Sequence, residues 1–234
     1  MPRPGLDLRL RVFAIAIAIL LSGVASSWAT GPDDEICDVN ADQALGLENY
    51  PAAIALHRQV LRAYNDNALA HYHLGFAYGM TGRTTEEINE YLAAARLRLD
   101  KWDLFLNLGL AYLSQNDSPD AIKALRTAVL LGPDHPESSF NLAIAYERDN
   151  RLREAREEIT ASLYLAPKDL DEHNTKAIIC AEAGDLVCAR DEWLYLVRVA
   201  PDYTPARVNL AILSSSRIAS TCSVLNRNRF ALAR

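Results

Sequence analysis

Residues 102–135 read WDLFLNLGLAYLSQNDSPDAIKALRTAVLLGPDH, and they have the form of a helix, a turn and a second helix. Leu104, Leu108, Ala111 and Tyr112 recur three or four residues apart, which places them on one helical face. Asn116-Asp117-Ser118-Pro119 interrupts that face; Ser118 reads as an N-cap and Pro119 suits a first helical turn. A second helix is expected from about Asp120 to Leu131, stopped by Gly132-Pro133. Gly109 and Ala121 fall on opposite arms, where small side chains let the two helices approach closely. A lone pair of this kind cannot bury its apolar face, so it must stack on neighbours.

The neighbours carry the same signature at a fixed interval of 34 residues. Ala41, Gly75, Gly109, Ala143, Ala177 and Ala211 form one column of small residues; Ala53, Glu87, Ala121, Ala155 and Ala189 form a second. Leu74, Leu108, Leu142 and Leu210 form a third, interrupted by Lys176; Tyr78, Tyr112 and Tyr146 form a fourth. Pro133, Pro167 and Pro201 close three successive units. Five columns in one phase, without insertion or deletion, define a repeat architecture.

Gly75, Gly109, Tyr78, Tyr112, Ala121 and Pro133, at this repeat length, resemble the tetratricopeptide-repeat pattern over about residues 34–213. The resemblance implies an all-α fold, a right-handed superhelix of antiparallel helix hairpins. Five repeats are expected at 34–67, 68–101, 102–135, 136–169 and 170–203, with a short capping helix over 204–213. Some positions depart from the pattern. Asn40 replaces Leu in the first repeat, Glu87 stands in a small-residue column, and Leu99 stands where proline is usual. The fifth repeat has Lys176 for Leu and Cys180 for Tyr. Ser214-Ser215-Ser216 is expected to end the cap early, and 214–234, with four Arg and no acid, to be a mobile tail.

The N-terminus has the pattern of an export signal. Arg3, Arg9 and Arg11 precede an apolar run from Val12 to Leu21, and Ser27-Trp28-Ala29 places small residues at −3 and −1 of a cleavage site; Gly23-Val24-Ala25 offers a second site. The run is shorter than the roughly 20 residues of a membrane span. A cleaved signal over 1–29 is therefore expected in preference to a retained anchor, and with it a periplasmic or secreted protein. Without three Arg and one Asp, 21 basic and 29 acidic residues remain, a net charge of about −8. Such a chain repels phosphate backbones, so nucleic acid is not expected as a partner. No second apolar run reaches spanning length.

The sequence has no glycine-rich phosphate loop, no Gly-x-Ser-x-Gly elbow and no His-Glu-x-x-His, so no catalytic residue, cofactor or metal is expected. His71 and His73, two apart on a helix, point to different faces. Glu87 is expected either to snorkel or to sit partly buried. Among four cysteines, only Cys180 and Cys188 are brought close by the repeat geometry, across Ala183-Gly184-Asp185. Two readings stay open for them: a disulfide, or two buried thiols filling core positions.

In the family, the first helix of each repeat lines a concave groove, which implies a binding surface here. One row is Tyr72, Leu106, Phe140, Asn174 and Val208; a second is Phe76, Leu110, Ile144, Ile178 and Ile212. A third is His73, Asn107, Asn141, Thr175 and Asn209. The first two rows are expected to leave an apolar stripe facing solvent. The third supplies side-chain amides suited to an extended backbone. The expected ligand contacts are Tyr72, His73, Phe76, Leu106, Asn107, Leu110, Phe140, Asn141, Ile144 and Asn209, with Phe76, Leu110 and Phe140 as anchors. Asp103, Glu137 and Asp171 stand where some family members place basic residues, so an apolar segment with neutral or basic flanks is favoured over a carboxylate terminus. The expected function is a scaffold or assembly factor of the cell envelope. The alternatives are a holdase chaperone and a non-catalytic recruiting subunit of an envelope enzyme complex.

Overall fold

The 34-residue period is a period of helix starts. The computed structural model describes residues 37–218, in which eleven α-helices and no strand occur. They are α1 (Val39–Gly46), α2 (Tyr50–Ala63), α3 (Ala68–Met80), α4 (Thr84–Arg96), α5 (Trp102–Ser114), α6 (Ser118–Leu131), α7 (Pro136–Arg148), α8 (Leu152–Leu165), α9 (Leu170–Glu182), α10 (Leu186–Val199) and α11 (Thr204–Ile218). First helices begin at 68, 102, 136, 170 and 204, and second helices at 50, 84, 118, 152 and 186. Each helix packs on the next in the chain, so three apolar clusters follow one another along a stack of hairpins. The expected signal segment 1–29 lies outside the described residues, as do residues 219–234 of the expected tail.

Two devices make every hairpin turn alike. At one position the backbone is left-handed in all five repeats: Glu48, Gly82, Asn116, Asn150 and Gly184, with φ between 57° and 81°. Gly and Asn reach that region most easily, and Glu48 is the exception. The next residue is the N-cap of the second helix. Asn49, Asp117 and Asp185 cap it with a side-chain oxygen. The cap of α6 is thus Asp117, whose carboxylate accepts from the Asp120 amide, and Ser118, read as the cap from sequence, is its first helical residue. Arg83 and Arg151 hold the same position by another route. Each pairs with the acid three residues on (Glu86, Glu154) and lies over the tyrosine of its own repeat, Tyr78 at 4.3 Å and Tyr146 at 4.5 Å.

Packing explains the small columns and most departures from them. A methyl group on Gly109 would collide with Leu125, and one on Gly75 with Tyr91, so α5 and α6, like α3 and α4, meet at glycine. Glu87 is buried, its carboxylate over Gly79; a Cβ there would sit 2.5 Å from Glu87 Oε1. Lys176, which breaks the leucine column, lies 2.7 Å from Glu192 Oε1, and the other oxygen of Glu192 lies 2.7 Å from His173 Nδ1. Repeat 2 uses the same contact: His71 Nδ1 lies 2.6 Å from Glu90 Oε2. The structure joins Cys180 to Cys188 in a disulfide with Cα atoms 5.9 Å apart, tying α9 to α10.

Two connections differ from expectation. The last helix does not end at the serines: α11 continues to Ile218. Ser214 Oγ donates to the Leu210 carbonyl at 2.8 Å, so its hydroxyl is satisfied inside the helix rather than competing with it. Between α4 and α5, Arg98 takes φ 66°, whereas the equivalent Tyr64, Gly132, Ala166 and Ala200 keep negative φ, −122° to −140°. Gly132, Ala166 and Ala200 precede prolines, which disfavour helical backbone at the preceding residue, and Tyr64 takes the same backbone before Asn65. Leu99 imposes no such restraint.

Candidate functional site: the first-helix surface

Helices α3, α5, α7, α9 and α11 carry the three rows, and stacking decides which of their side chains stay accessible. Leu106 and Asn209 are fully buried, Asn141 is 2% exposed and Phe76 8%. The sequence reading of these four as ligand contacts is therefore corrected. Each is covered by an adjacent repeat or bonded within its own. Phe76 lies under Tyr50, ring centroids 6.4 Å apart in an edge-on arrangement. Leu106 belongs to the core shared by α5 through α9. Asn141 Nδ2 donates to the Glu137 carbonyl at 2.7 Å. Asn209 Nδ2 donates to Asn174 Oδ1 at 3.4 Å, and the same oxygen accepts from Trp193 Nε1 at 3.0 Å. That buried trio fastens the last hairpin to α11.

Tyr72, His73, Asn107, Leu110, Phe140 and Ile144 remain partly exposed. Tyr72 Oη donates to Asp103 Oδ2 at 3.0 Å and accepts from Asn107 Nδ2 at 3.4 Å, so one hydroxyl links repeats 2 and 3. Leu110, Phe140 and Ile144 pack their inner sides on the central core and leave the outer sides free. Asp103 and Asp171 bind tyrosine hydroxyls, Tyr203 serving Asp171 at 2.9 Å. They remain acceptors at the rim and leave the surface acidic.

His73 turns away from His71. Its Nδ1 lies 2.7 Å from Asp42 Oδ1, and its ring meets that of His57 at 5.3 Å, whereas His71 faces Glu90. Beneath the same face, Glu172 is buried on α9 and its pKa is raised to about 7. Burial is the main cause, Asp169 and Glu137 add to it, and the nearby Ser162 and His173 oppose it.

Two further surfaces lie outside the sequence reading. An open recess of about 430 Å³ is lined by Arg58, Arg62, His71, Arg83 and Glu90, a basic patch on an acidic chain. Leu97, Leu131, Leu165 and Val199 recur at 34-residue steps at the ends of second helices, and all are exposed, with Leu130 and Tyr164 beside them. That column is legible in the sequence as a fixed-interval apolar row.

The helix periodicity, the glycine contacts and the turn column agree with one finding from comparison: the family model for the tetratricopeptide repeat matches residues 39–101 and 106–169. The chain belongs to the tetratricopeptide-repeat family. Among solved tetratricopeptide-repeat structures it is similar to YrrB, a member with an unusual peptide-binding site. The TM-score is 0.68 at 21% identity, over 71% of this chain and 86% of that one. It is similar to MamA of strain AMB-1 (TM-score 0.64, 22% identity, 74% and 92% covered). The thermophilic protein TTC0263 of Thermus thermophilus aligns with a TM-score of 0.52 at 17% identity, over 74% and 94%. Comparison with the curated proteins gives no match. At these identities the structural likeness concerns the fold. Tetratricopeptide-repeat proteins are binding scaffolds for other proteins, generally without catalysis of their own, and this chain is built as one.

Proposed function

We propose that the protein holds an extended partner segment along its first-helix surface, as a scaffold or assembly factor of the cell envelope. The observation that carries this reading is the patch formed by Leu110, Phe140 and Ile144: apolar, partly exposed and on two consecutive repeats, beside the side chain of Asn107. An extended chain of about three residues per 10 Å touches neighbouring first helices, about 8–10 Å apart in packed helices of ordinary size, in one pass. With Asp103 and Asp171 at the rim, neutral or basic flanks suit the site better than a free carboxylate. The Arg-flanked apolar segment before Thr30 supports export to the periplasm or beyond. Among the described residues no helix is long and apolar enough to cross a membrane.

A photo-crosslinking phenylalanine analogue at position 140 of the full chain tests the site against one at position 164. A specific protein captured at 140 and not at 164 supports the reading. Capture at 164 alone moves the site to the apolar ladder of second helices. With the captured protein in hand, Phe140→Ala is expected to weaken binding about tenfold or more while leaving helicity unchanged. Capture of many unrelated proteins at 140, each displaced by the others, is instead the result expected of a holdase.

A further inference from the structure

Four side chains from three helices and the segment entering them converge at the first repeat. Cys37 lies two residues before α1; Asp42 is on α1, His57 on α2 and His73 on α3. One donor atom from each lies within 4.8 Å of all the others. The Cys37 sulfur is 3.7 Å from His57 Nδ1, Asp42 Oδ1 is 3.8 Å from His57 Nε2, and His73 Nδ1 is 2.7 Å from Asp42 Oδ1.

The fully buried His57 gives the independent observation. Its Nε2 has no hydrogen-bond partner among the described residues, although a buried polar atom left unmatched costs about 1–3 kcal/mol. Among the described residues, Cys37, Asp42 and His73 are the polar side chains that meet its ring. Core packing alone would select a small apolar residue here, as it does at Ala53, one turn earlier on α2 and equally buried.

We propose that Cys37, Asp42, His57 and His73 form a closed, four-ligand site for a zinc-class divalent cation. Tetrahedral zinc with bonds of about 2.0–2.3 Å sets its donor atoms roughly 3.3–3.7 Å apart, and one donor atom from each of the four residues lies within 4.8 Å of the others, so a small inward shift closes the set on the ion. One thiolate, two imidazoles and a carboxylate suit a borderline-soft cation better than magnesium or calcium. Four protein ligands leave no open position, so the role is structural. The cation fastens the segment before α1 and both helices of the first repeat to the second. The Cys37 thiol loses its proton to solvent as the metal–sulfur bond forms.

The test uses the full chain, Co²⁺ as a spectroscopic probe and Zn²⁺ as competitor. One equivalent of Co²⁺ is expected to give a thiolate-to-metal charge-transfer band with tetrahedral d–d intensity, abolished by one equivalent of Zn²⁺. Cys37→Ser is expected to lose the charge-transfer band and at least about tenfold in Zn²⁺ affinity, with the circular dichroism of the parent. Zinc is expected to raise the melting temperature of the parent more than that of Cys37→Ser. If that variant does not fold, His73→Gln, whose side chain is partly exposed, is expected to show the same loss of affinity. The proposal is overturned if the parent takes up neither metal, if cobalt binds without the thiolate band, or if affinity is unchanged in the folded variant.

Discussion

Glu172 and Glu48 show how much a single carboxylate or a single backbone angle contributes in this stack. Glu172 titrates at about 7 in the folded chain against an ordinary 4.5, so folding takes up a proton between those values. The sign follows from linkage. Its favourable contribution is complete below about pH 4.5 and lost as pH rises through about 7. Glu172→Gln is expected to flatten the dependence of melting temperature between about pH 5 and 8. At about pH 8 it should exceed the parent in stability by about 1–3 kcal/mol, as chemical denaturation at both pH values would show. Glu48 is exposed and holds φ 57° where the equivalent residues are glycine or asparagine. Glu48→Gly is expected to stabilise by about 0.5–1 kcal/mol, because left-handed backbone is free of Cβ strain only in glycine. A lower denaturation midpoint than the parent would contradict that.

Helices and turns follow the sequence closely, because they answer to spacings within one repeat. The period, the glycine contacts at 75 and 109 and the helix-stopping Gly132-Pro133 all act within one hairpin. The left-handed column from Glu48 to Gly184 is equally local, yet it hides in mixed residue types; only its shared position in the period reveals it. The connection between α4 and α5 shows where the family pattern misleads. Proline is usual at position 99, but here Leu99 donates its amide to the Ala94 carbonyl at 3.2 Å and follows the left-handed Arg98. Leu99→Pro removes that bond and disfavours that backbone, so the family's own residue is expected to destabilise by about 1–3 kcal/mol. A thermal melt of this variant at or above the parent value would refute it.

At the scale of the molecule, what was illegible was coverage. Whether Phe76 or Leu106 faces solvent depends on the size and reach of residues in another repeat, such as Tyr50, and not on their own position in the period. The buried Asn174–Trp193–Asn209 trio and the cluster around His57 likewise join residues up to 36 apart in the chain. A stack of this kind frays from its ends, and the disulfide ties together the last complete hairpin. Cys188→Ala is expected to cost about 2–3 kcal/mol through lost loop restraint. Amide hydrogen exchange should then quicken in α9 to α11 and stay slow in α5 to α8. Uniform acceleration along the chain would mean that the molecule unfolds as one unit.

The identical hairpin turns have a consequence for how such a chain can change in length. Because each left-handed residue, N-cap and small residue recurs at the same offset, removing or copying 34 residues from any starting point rejoins each position to its own kind. A change of one residue more or fewer would rotate every later helix face by about 100° and move the turn residue off its left-handed position. The gene is therefore free to grow or shrink by whole repeats, and the reach of the binding surface changes in steps of one helix pair.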